Sequence, residues 1–174
     1  GCTEPVALGL AVSNTCCRLD KPTTHLSLRV SSNIFKNAFC VKIPNTTRAG
    51  IPLAAVLGCL LAREGNTMEL FAGVNDQLVE QADQLIANGF VETQVLEDSR
   101  FYIEVIATDG ENQVRTVTVD SHDNLVLVQR NGETLLDKLE FSDVKEHPSD
   151  GITQTSIQHL VEVAETIPLE ELLF

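Results

Sequence analysis

The chain has 174 residues, of which 43% are hydrophobic and 21% are charged, and its formal net charge is −13. This composition is typical of a folded globular protein and excludes a disordered chain. The acidic surface would repel nucleic acid and acidic membrane headgroups, so we expect neither as a partner. No apolar run reaches the roughly 20 residues that a membrane-spanning helix needs.

The cysteines predict a reducing compartment, which we take to be the cytoplasm. There are five cysteines, an odd number, and two of them, Cys16 and Cys17, are adjacent in the chain. Neighbouring cysteines have poor geometry for a disulfide, and no regular spacing indicates a disulfide framework. The default role of such a thiol is that of a small buried hydrophobe.

The first half of the chain predicts two buried helices separated by strands. Thr3 is placed to cap the first helix, with Glu4 and Pro5 in its first turn, where an acid and a proline are both favoured. The following apolar run predicts that this helix continues to about residue 17. The remaining elements predicted here are a strand over 24–30, a second strand over 38–43 that ends at Pro44, and a buried helix over 49–62 in which Gly58 permits close packing.

The second half predicts one amphipathic helix followed by a β-meander. The helix is capped by Asn66 or Thr67, continues through Ile86 and stops at Asn88-Gly89. Four short β-rich runs follow, with strong turn dipeptides at Asp109-Gly110 and Asn131-Gly132 and a third connection over 121–124. These strands are predicted over 91–96, 101–108, 113–120 and 125–130, followed by a loop over 143–151 and a helix over 153–167.

The fold class that follows is α+β. We predict a single domain over 1–174, with an antiparallel sheet of about four to five strands in a C-terminal meander packed with helices. The chain begins at Gly1 inside an apparent motif and ends on apolar residues. We therefore expect it to be the N-terminal fragment of a longer protein.

Two residues are individually suited to chemistry. Cys2 lies just before the first helix, where the helix dipole favours a thiolate, so it is a candidate metal ligand or nucleophile, with a plain buried thiol as the alternative. His122 lies in a strand connection between Asp120 and Asp123. It is a candidate general base or ligand-orienting donor, although a surface turn histidine is the more common outcome.

Two polar segments are candidates for binding a small anion. Asn33, Lys36 and Asn37 have the spacing that would bring them to one face of a helical turn, with a solvated polar turn as the alternative. Asn45, Thr46 and Thr47 precede the second buried helix and could offer amide and hydroxyl donors to a carboxylate. Helix capping by these three residues is the alternative role.

Three motifs taken together resemble a known family. They are G-C-T-E-P at the start, S-N-I-F-K-N from Ser32, and I-P-N-T-T-R-A-G-I-P-L-A-A-V-L-G from Ile43, and V-D-S-H-D-N-L-V from Val119 supports them. In order and separation they resemble the L-cysteine desulfidase family, which is related to the alpha chain of iron–sulfur L-serine dehydratases. The chain departs from this pattern at Ala38, Cys40, Asn45 and Asp120-Ser121, where the family has glycines.

This resemblance implies an amino-acid β-elimination lyase. L-cysteine would give pyruvate, ammonia and sulfide, and L-serine would give pyruvate and ammonia. It also implies a [4Fe–4S] cluster in the full-length protein, with Cys2 as one ligand and the other ligands in a missing C-terminal region of the same chain, so that the fragment alone is inactive. The implied catalytic residues are Lys36 and His122, and the implied substrate-binding residues are Thr3, Glu4, Asn33, Asn37, Asn45 and Thr46.

Two other functions stay open at this point. The chain could be a domain that binds a small amino acid without chemistry, or a structural domain that packs against the missing region. The choice between cysteine and serine, the identity of the base and the oligomeric state also stay open.

Overall fold

The computed structural model of the chain describes residues 3–97 and 100–138 together with Ser156 and Thr166. Nearly all of these residues lie in a compact unit that spans Gly1–Leu139. The loop predicted over 143–151, almost all of the helix predicted over 153–167, and Cys2 lie outside the described residues. The prediction of one domain over the whole chain therefore stays a prediction.

The compact unit is built on a six-stranded sheet. The strand bounds are β1 His25–Ser31, β2 Val91–Leu96, β3 Tyr102–Thr108, β4 Gln113–Val119, β5 Leu125–Arg130 and β6 Glu133–Asp137. In spatial order the strands are β2-β1-β3-β4-β5-β6, and every neighbouring pair is antiparallel except β1 and β2, which are parallel. The α+β class predicted from the sequence is confirmed.

Helices cover the part of the sheet that forms the main core. The first helix lies against β3 and β4 and packs closely on the third helix, and the fourth helix covers the third. Side chains from alternate positions of β1 and β3, such as Leu28 and Val105, are fully buried in this core. The helix bounds are α1 Glu4–Cys16, α2 Ser32–Cys40, α3 Ile51–Leu60 and α4 Asp76–Ala87, with a 3-10 turn at Leu70–Gly73.

The strand predicted over 38–43 is wrong, because α2 runs through Cys40. Its buried residues are Ile34 and Ala38, one helical turn apart, so burial of this helical face outweighs the local β propensity of the segment. Between the end of α2 at Cys40 and the start of α3 at Ile51, the only β structure is an isolated bridge between Lys42 and Ala49.

The long amphipathic helix is also divided differently from the prediction. Asn75, and not Asn66 or Thr67, caps α4, with its side-chain oxygen accepting from the Leu78 N–H at 3.0 Å. The Asn66 amide instead donates to the Leu61 carbonyl at 2.9 Å and to the Ser13 hydroxyl at 2.7 Å. The apolar residues before Asn75 form the separate 3-10 turn.

The meander differs from the prediction at both of its ends. The segment predicted as its first strand, β2, pairs in parallel with β1. The chain between these two strands is therefore a crossover connection, and it contains the helices α2, α3 and α4. A strand missing from the prediction, β6, follows the Asn131-Gly132 turn and pairs with β5. Its sequence, E-T-L-L-D, lacks the alternation of apolar and polar residues that indicates a half-buried strand, and its five residues are almost all exposed.

A buried carboxylate with two arginine partners lies on the face of the sheet opposite to Ile103 and Val105. The Glu104 side chain is only 2% exposed, and its two oxygens accept from Arg29 at 3.2 Å and from Arg115 at 2.7 Å. The Tyr102 hydroxyl donates to the same carboxylate at 3.0 Å. Burial, with a further contribution from Glu104, raises the pKa of Tyr102 to about 12.

Asp109 gives the β3–β4 turn a testable pH dependence. Its carboxylate accepts the backbone N–H groups of Asn112 at 2.7 Å and Glu111 at 2.9 Å, and these bonds lower the pKa of Asp109 from 3.8 to about 2. The ionised form is therefore favoured in the folded state, so its contribution to stability is complete above pH 4 and is lost as pH falls towards 2.

We therefore expect Asp109→Asn to reduce the loss of stability between pH 4 and pH 2. Urea-unfolding midpoints measured from pH 2 to pH 7 test this expectation. The control is Asp20→Asn, which removes the same charge from an exposed side chain paired with Arg130. Equal acid dependence of the wild type and Asp109→Asn would contradict the role assigned to the turn.

None of the helices in the described part of the chain is both long enough and apolar enough to cross a bilayer.

Candidate functional site

The candidate site lies at the beginning of α1. Thr3 was predicted to cap this helix, but its hydroxyl makes no side-chain capping bond to the described helix and instead lies 2.8 Å from Nε2 of His122. The two residues are 119 positions apart in the sequence. The contact therefore joins the start of the chain to the connection between β4 and β5.

Local backbone structure holds His122 in place. The Asp120 N–H donates to the Phe101 carbonyl at 3.0 Å, and Asp120 has a left-handed φ of 64°, which a short polar residue tolerates. The Phe101 ring meets the imidazole edge-on with the ring centroids 5.1 Å apart. His122 is half-buried, with one ring nitrogen bonded to Thr3 and one side of the ring packed on an aromatic.

A second contact links the same end of α1 to α2. The Asn37 amide donates to the Glu4 carboxylate at 3.0 Å. As predicted from their spacing, Asn33, Lys36 and Asn37 lie on one helix and are all exposed, while Ile34 and Ala38 bury the other face. An ammonium group and two amides therefore lie on the exposed face of a helix that contacts the start of α1.

Asn45 and Thr46 contact a different set of residues. The Asn45 amide donates to the carbonyls of Phe71 at 2.9 Å and Ala72 at 3.3 Å, and its left-handed φ of 61° is one that asparagine tolerates. The Thr46 hydroxyl accepts from the Arg48 N–H at 2.7 Å. Thr46 thus organises its own loop, whereas Asn45 ties that loop to the 3-10 turn at Leu70–Gly73, and α3 begins later, after Gly50.

This loop borders a separate open cavity of about 360 Å³. Arg48 lies in its wall and forms an ion pair with Asp83 of α4, which raises the pKa of Arg48. The cavity is lined by Asn45, Thr46, Thr47, Arg48, Asp76 and Val79.

The structure therefore brings together some of the predicted residues and separates others. Thr3, Glu4, Asn37 and His122 form what we call the N-terminal polar cluster, and Asn33 and Lys36 lie beside Asn37 on α2. Asn45 and Thr46 belong to the cavity beside α4. The packing of Phe101 on His122 was not predicted from the sequence, although the pairing of Tyr102 with Val119 places Phe101 beside this connection.

The described residues do not by themselves fit a [4Fe–4S] cluster. No group of three or more His, Cys, Asp or Glu side chains suited to a metal occurs in the part of the chain that the structure describes. Cys16, Cys17 and Cys59 line a cavity near the last turns of α1 and α3, and Cys40 is exposed at the end of α2. Cys2, the predicted ligand, is not described, so we derive no chemical step through a cluster.

Comparison with known proteins finds relatives along the whole chain, and no family model matches it. A protein of Bacteroides thetaiotaomicron named UPF0597 protein is 32% identical over all of this chain and 41% of its own length. The UPF0597 protein of Clostridium tetani is 31% identical over all of this chain and 42% of its own length. That of Oleidesulfovibrio alaskensis is 35% identical over 78% of this chain and 32% of its own length.

These relatives correct the family resemblance drawn from the motifs. The matches that cover this chain carry the name UPF0597 protein, and not that of an L-cysteine desulfidase or an L-serine dehydratase. The assignment to the desulfidase family is therefore wrong. The chain spans about two-fifths of the length of the first two relatives.

Proposed function

We propose that this chain supplies the substrate-recognition part of an amino-acid β-elimination lyase, acting on L-cysteine or L-serine. The observation that carries the proposal is the bond between Thr3 and His122, which holds an imidazole against the start of a buried helix. Amide and ammonium groups of α2 lie next to this point through the bond between Asn37 and Glu4.

The groups around the cluster are complementary to a small amino acid. The substrate carboxylate is received by the Lys36 ammonium and the Asn33 amide, assisted by the positive end of the α1 dipole. The Glu4 carboxylate suits the substrate ammonium, because the two groups carry opposite charges and attract each other. Asn37 keeps Glu4 in place through their 3.0 Å bond, so it acts as a positioning residue.

The proposed chemical step begins with proton transfer to His122. The imidazole takes the proton from the α-carbon of the substrate, the electron pair forms a double bond to the β-carbon, and the bond to the β-sulfur or β-oxygen breaks. The resulting aminoacrylate tautomerises to an imine, which water hydrolyses to pyruvate and ammonia. The Thr3 hydroxyl fixes the orientation of the imidazole during the transfer.

The proposed site also needs the rest of the longer protein. This chain spans about two-fifths of the length of its first two relatives. A region outside this chain would close the site and supply the group that assists the leaving atom. A [4Fe–4S] cluster with Cys2 as a ligand remains a prediction for that longer protein. We place the protein in the cytoplasm, because the four cysteines of the described part are free thiols.

The experiment is a binding and turnover assay on the full-length protein. L-cysteine and L-serine are titrated calorimetrically, and pyruvate is followed in a coupled assay. We expect Lys36→Ala to weaken binding by about 10-fold or more, because one charge-assisted hydrogen bond contributes about 1.5–3 kcal/mol.

Lys42→Ala is the matched control, because it removes the same charge from an exposed side chain beyond the end of α2. We expect it to leave affinity and turnover unchanged. Binding without pyruvate formation would favour an amino-acid-binding domain without chemistry. If neither amino acid binds the wild-type protein, the proposed function is wrong.

A further inference from the structure

A second concentration of reactive groups lies near the other end of α1, away from the N-terminal polar cluster. A cavity of about 490 Å³ is bordered by three cysteines, Cys16, Cys17 and Cys59. Cys16 is the last residue of α1, and Cys59 is the penultimate residue of α3. Leu85 and Phe90 are among the other residues that line the cavity.

Two of these three thiols come from neighbouring helix ends. Cys16 and Cys59 line the cavity together with Thr23, and the helices that carry the two cysteines, α1 and α3, pack closely on each other. Cys16 is 8% exposed, whereas Cys59 is only half-buried, so Cys59 is the member of the pair that a solute in the cavity meets.

The third thiol is engaged elsewhere. The Cys17 thiol donates to the Asn14 carbonyl at 3.4 Å and accepts from Arg18 at 3.6 Å, which ties it to its own helical turn. A disulfide between the adjacent residues Cys16 and Cys17 would also be strained. The cavity therefore contains one thiol pair and one separate thiol.

The two members of the pair differ in acidity. The neighbouring Cys16 thiol lowers the pKa of Cys59, and Thr23 acts in the same direction. The neighbouring Cys59 thiol and burial raise the pKa of Cys16. Cys59 is thus suited to be the nucleophile, and Cys16 remains a thiol within reach of it.

We propose that Cys16 and Cys59 form a redox-active pair, which a small hydroperoxide entering this cavity oxidises to a disulfide. The Cys59 sulfur attacks the terminal oxygen of the hydroperoxide, the O–O bond breaks, and the alcohol leaves with a proton. Cys59 becomes a sulfenic acid. The Cys16 sulfur then attacks the Cys59 sulfur, the S–O bond breaks, and water leaves with the Cys16 proton.

The electron balance requires no other reactant. Two thiols lose two electrons in forming one S–S bond, and the hydroperoxide gains them in forming an alcohol and water. A small thiol reductant reverses the change by thiol–disulfide exchange. The oxidised form ties the last turn of α1 to the last turn of α3. The proposal uses none of the residues of the N-terminal polar cluster, so it is independent of the proposed lyase activity.

The test is peptide mapping of the full-length protein after reduction and brief treatment with one equivalent of hydrogen peroxide. Trypsin separates the peptide that ends at Arg18, which contains Cys16, from the peptide 49–63, which contains Cys59. We expect these two peptides to become disulfide-linked in the wild type and in Cys17→Ala. Dithiothreitol should release them.

Variants of the pair identify its two roles. Cys16→Ala should prevent the link and leave a sulfenic acid at Cys59, which dimedone traps. Cys59→Ala should prevent both products, and Cys40→Ala should react as the wild type does. A link that is lost in Cys17→Ala, a link that survives in Cys16→Ala, or an unmodified Cys59 in the wild type would each overturn the proposal.

Discussion

Replacing His122 with glutamine is expected to lower kcat/KM for the proposed β-elimination by about 100-fold to 10,000-fold, the usual contribution of a positioned general base. Glutamine can still hydrogen-bond to the Thr3 hydroxyl, but it cannot accept a proton from carbon. The measurement is pyruvate formation from L-cysteine and from L-serine by the full-length protein. The substitution tests the proton transfer separately from the contact of 2.8 Å that joins Thr3 to His122.

His25→Gln is the matched control for this experiment. His25 lies at the start of β1 with its side chain 43% exposed, and its ring is 3.9 Å from Glu92. We expect that variant to retain full activity. Urea unfolding of His122→Gln should show near wild-type stability, because a half-buried residue in a connection contributes little packing. Wild-type turnover by His122→Gln would show that the imidazole has only a structural role.

Local signals in the sequence predicted the buried helices and two tight turns of the meander correctly. The run after Pro5 is apolar nearly all round, so only a buried helix accommodates it, and α1 does extend to Cys16. The turn dipeptides Asp109-Gly110 and Asn131-Gly132 both connect antiparallel strands, because their glycines adopt the positive φ that tight turns require.

Long-range pairing was not predictable by the same means. β2 joins β1 in parallel although Leu26 and its partner Val91 are far apart in the sequence, and no residue in either strand signals this register. Similarly, a strand was predicted over 38–43, yet α2 continues through Cys40 because Ile34 and Ala38 bury one face of the helix. In both cases tertiary packing outweighs local preference.

The candidate site was predicted in its residues but not in its geometry. Asn37 and His122 were candidates from their own spacing and setting, whereas Thr3 became a candidate binding residue through a family resemblance that the UPF0597 relatives correct. Their contacts in the structure are a separate finding, which the sequence could not provide because they join segments 33 and 119 residues apart. Asn45 and Thr46 were predicted for the same site but do not join it. Asn45 bonds to the backbone of the 3-10 turn, and Thr46 bonds to the backbone of its own loop.

Gly58→Ala is expected to destabilise the protein by about 2–3 kcal/mol, the upper part of the usual range for overpacking a core. A methyl group at Gly58 would lie 2.4 Å from the Gly9 carbonyl oxygen and 2.7 Å from the Gly9 Cα. These are backbone atoms of α1, so they cannot move aside as a side chain can. The clash therefore outweighs the gain of about 1 kcal/mol that alanine offers over glycine inside a helix.

Gly73→Ala is the matched control, because a methyl group there meets nothing within 4 Å. We expect it to change the free energy of urea unfolding by no more than about 0.5 kcal/mol. The contact between Gly9 and Gly58 also sets the spacing of α1 and α3, and hence the approach of Cys16 to Cys59. Gly58→Ala should therefore reduce disulfide formation as well as stability. Wild-type stability of Gly58→Ala would mean that the two helices lie further apart in solution than their backbones do here.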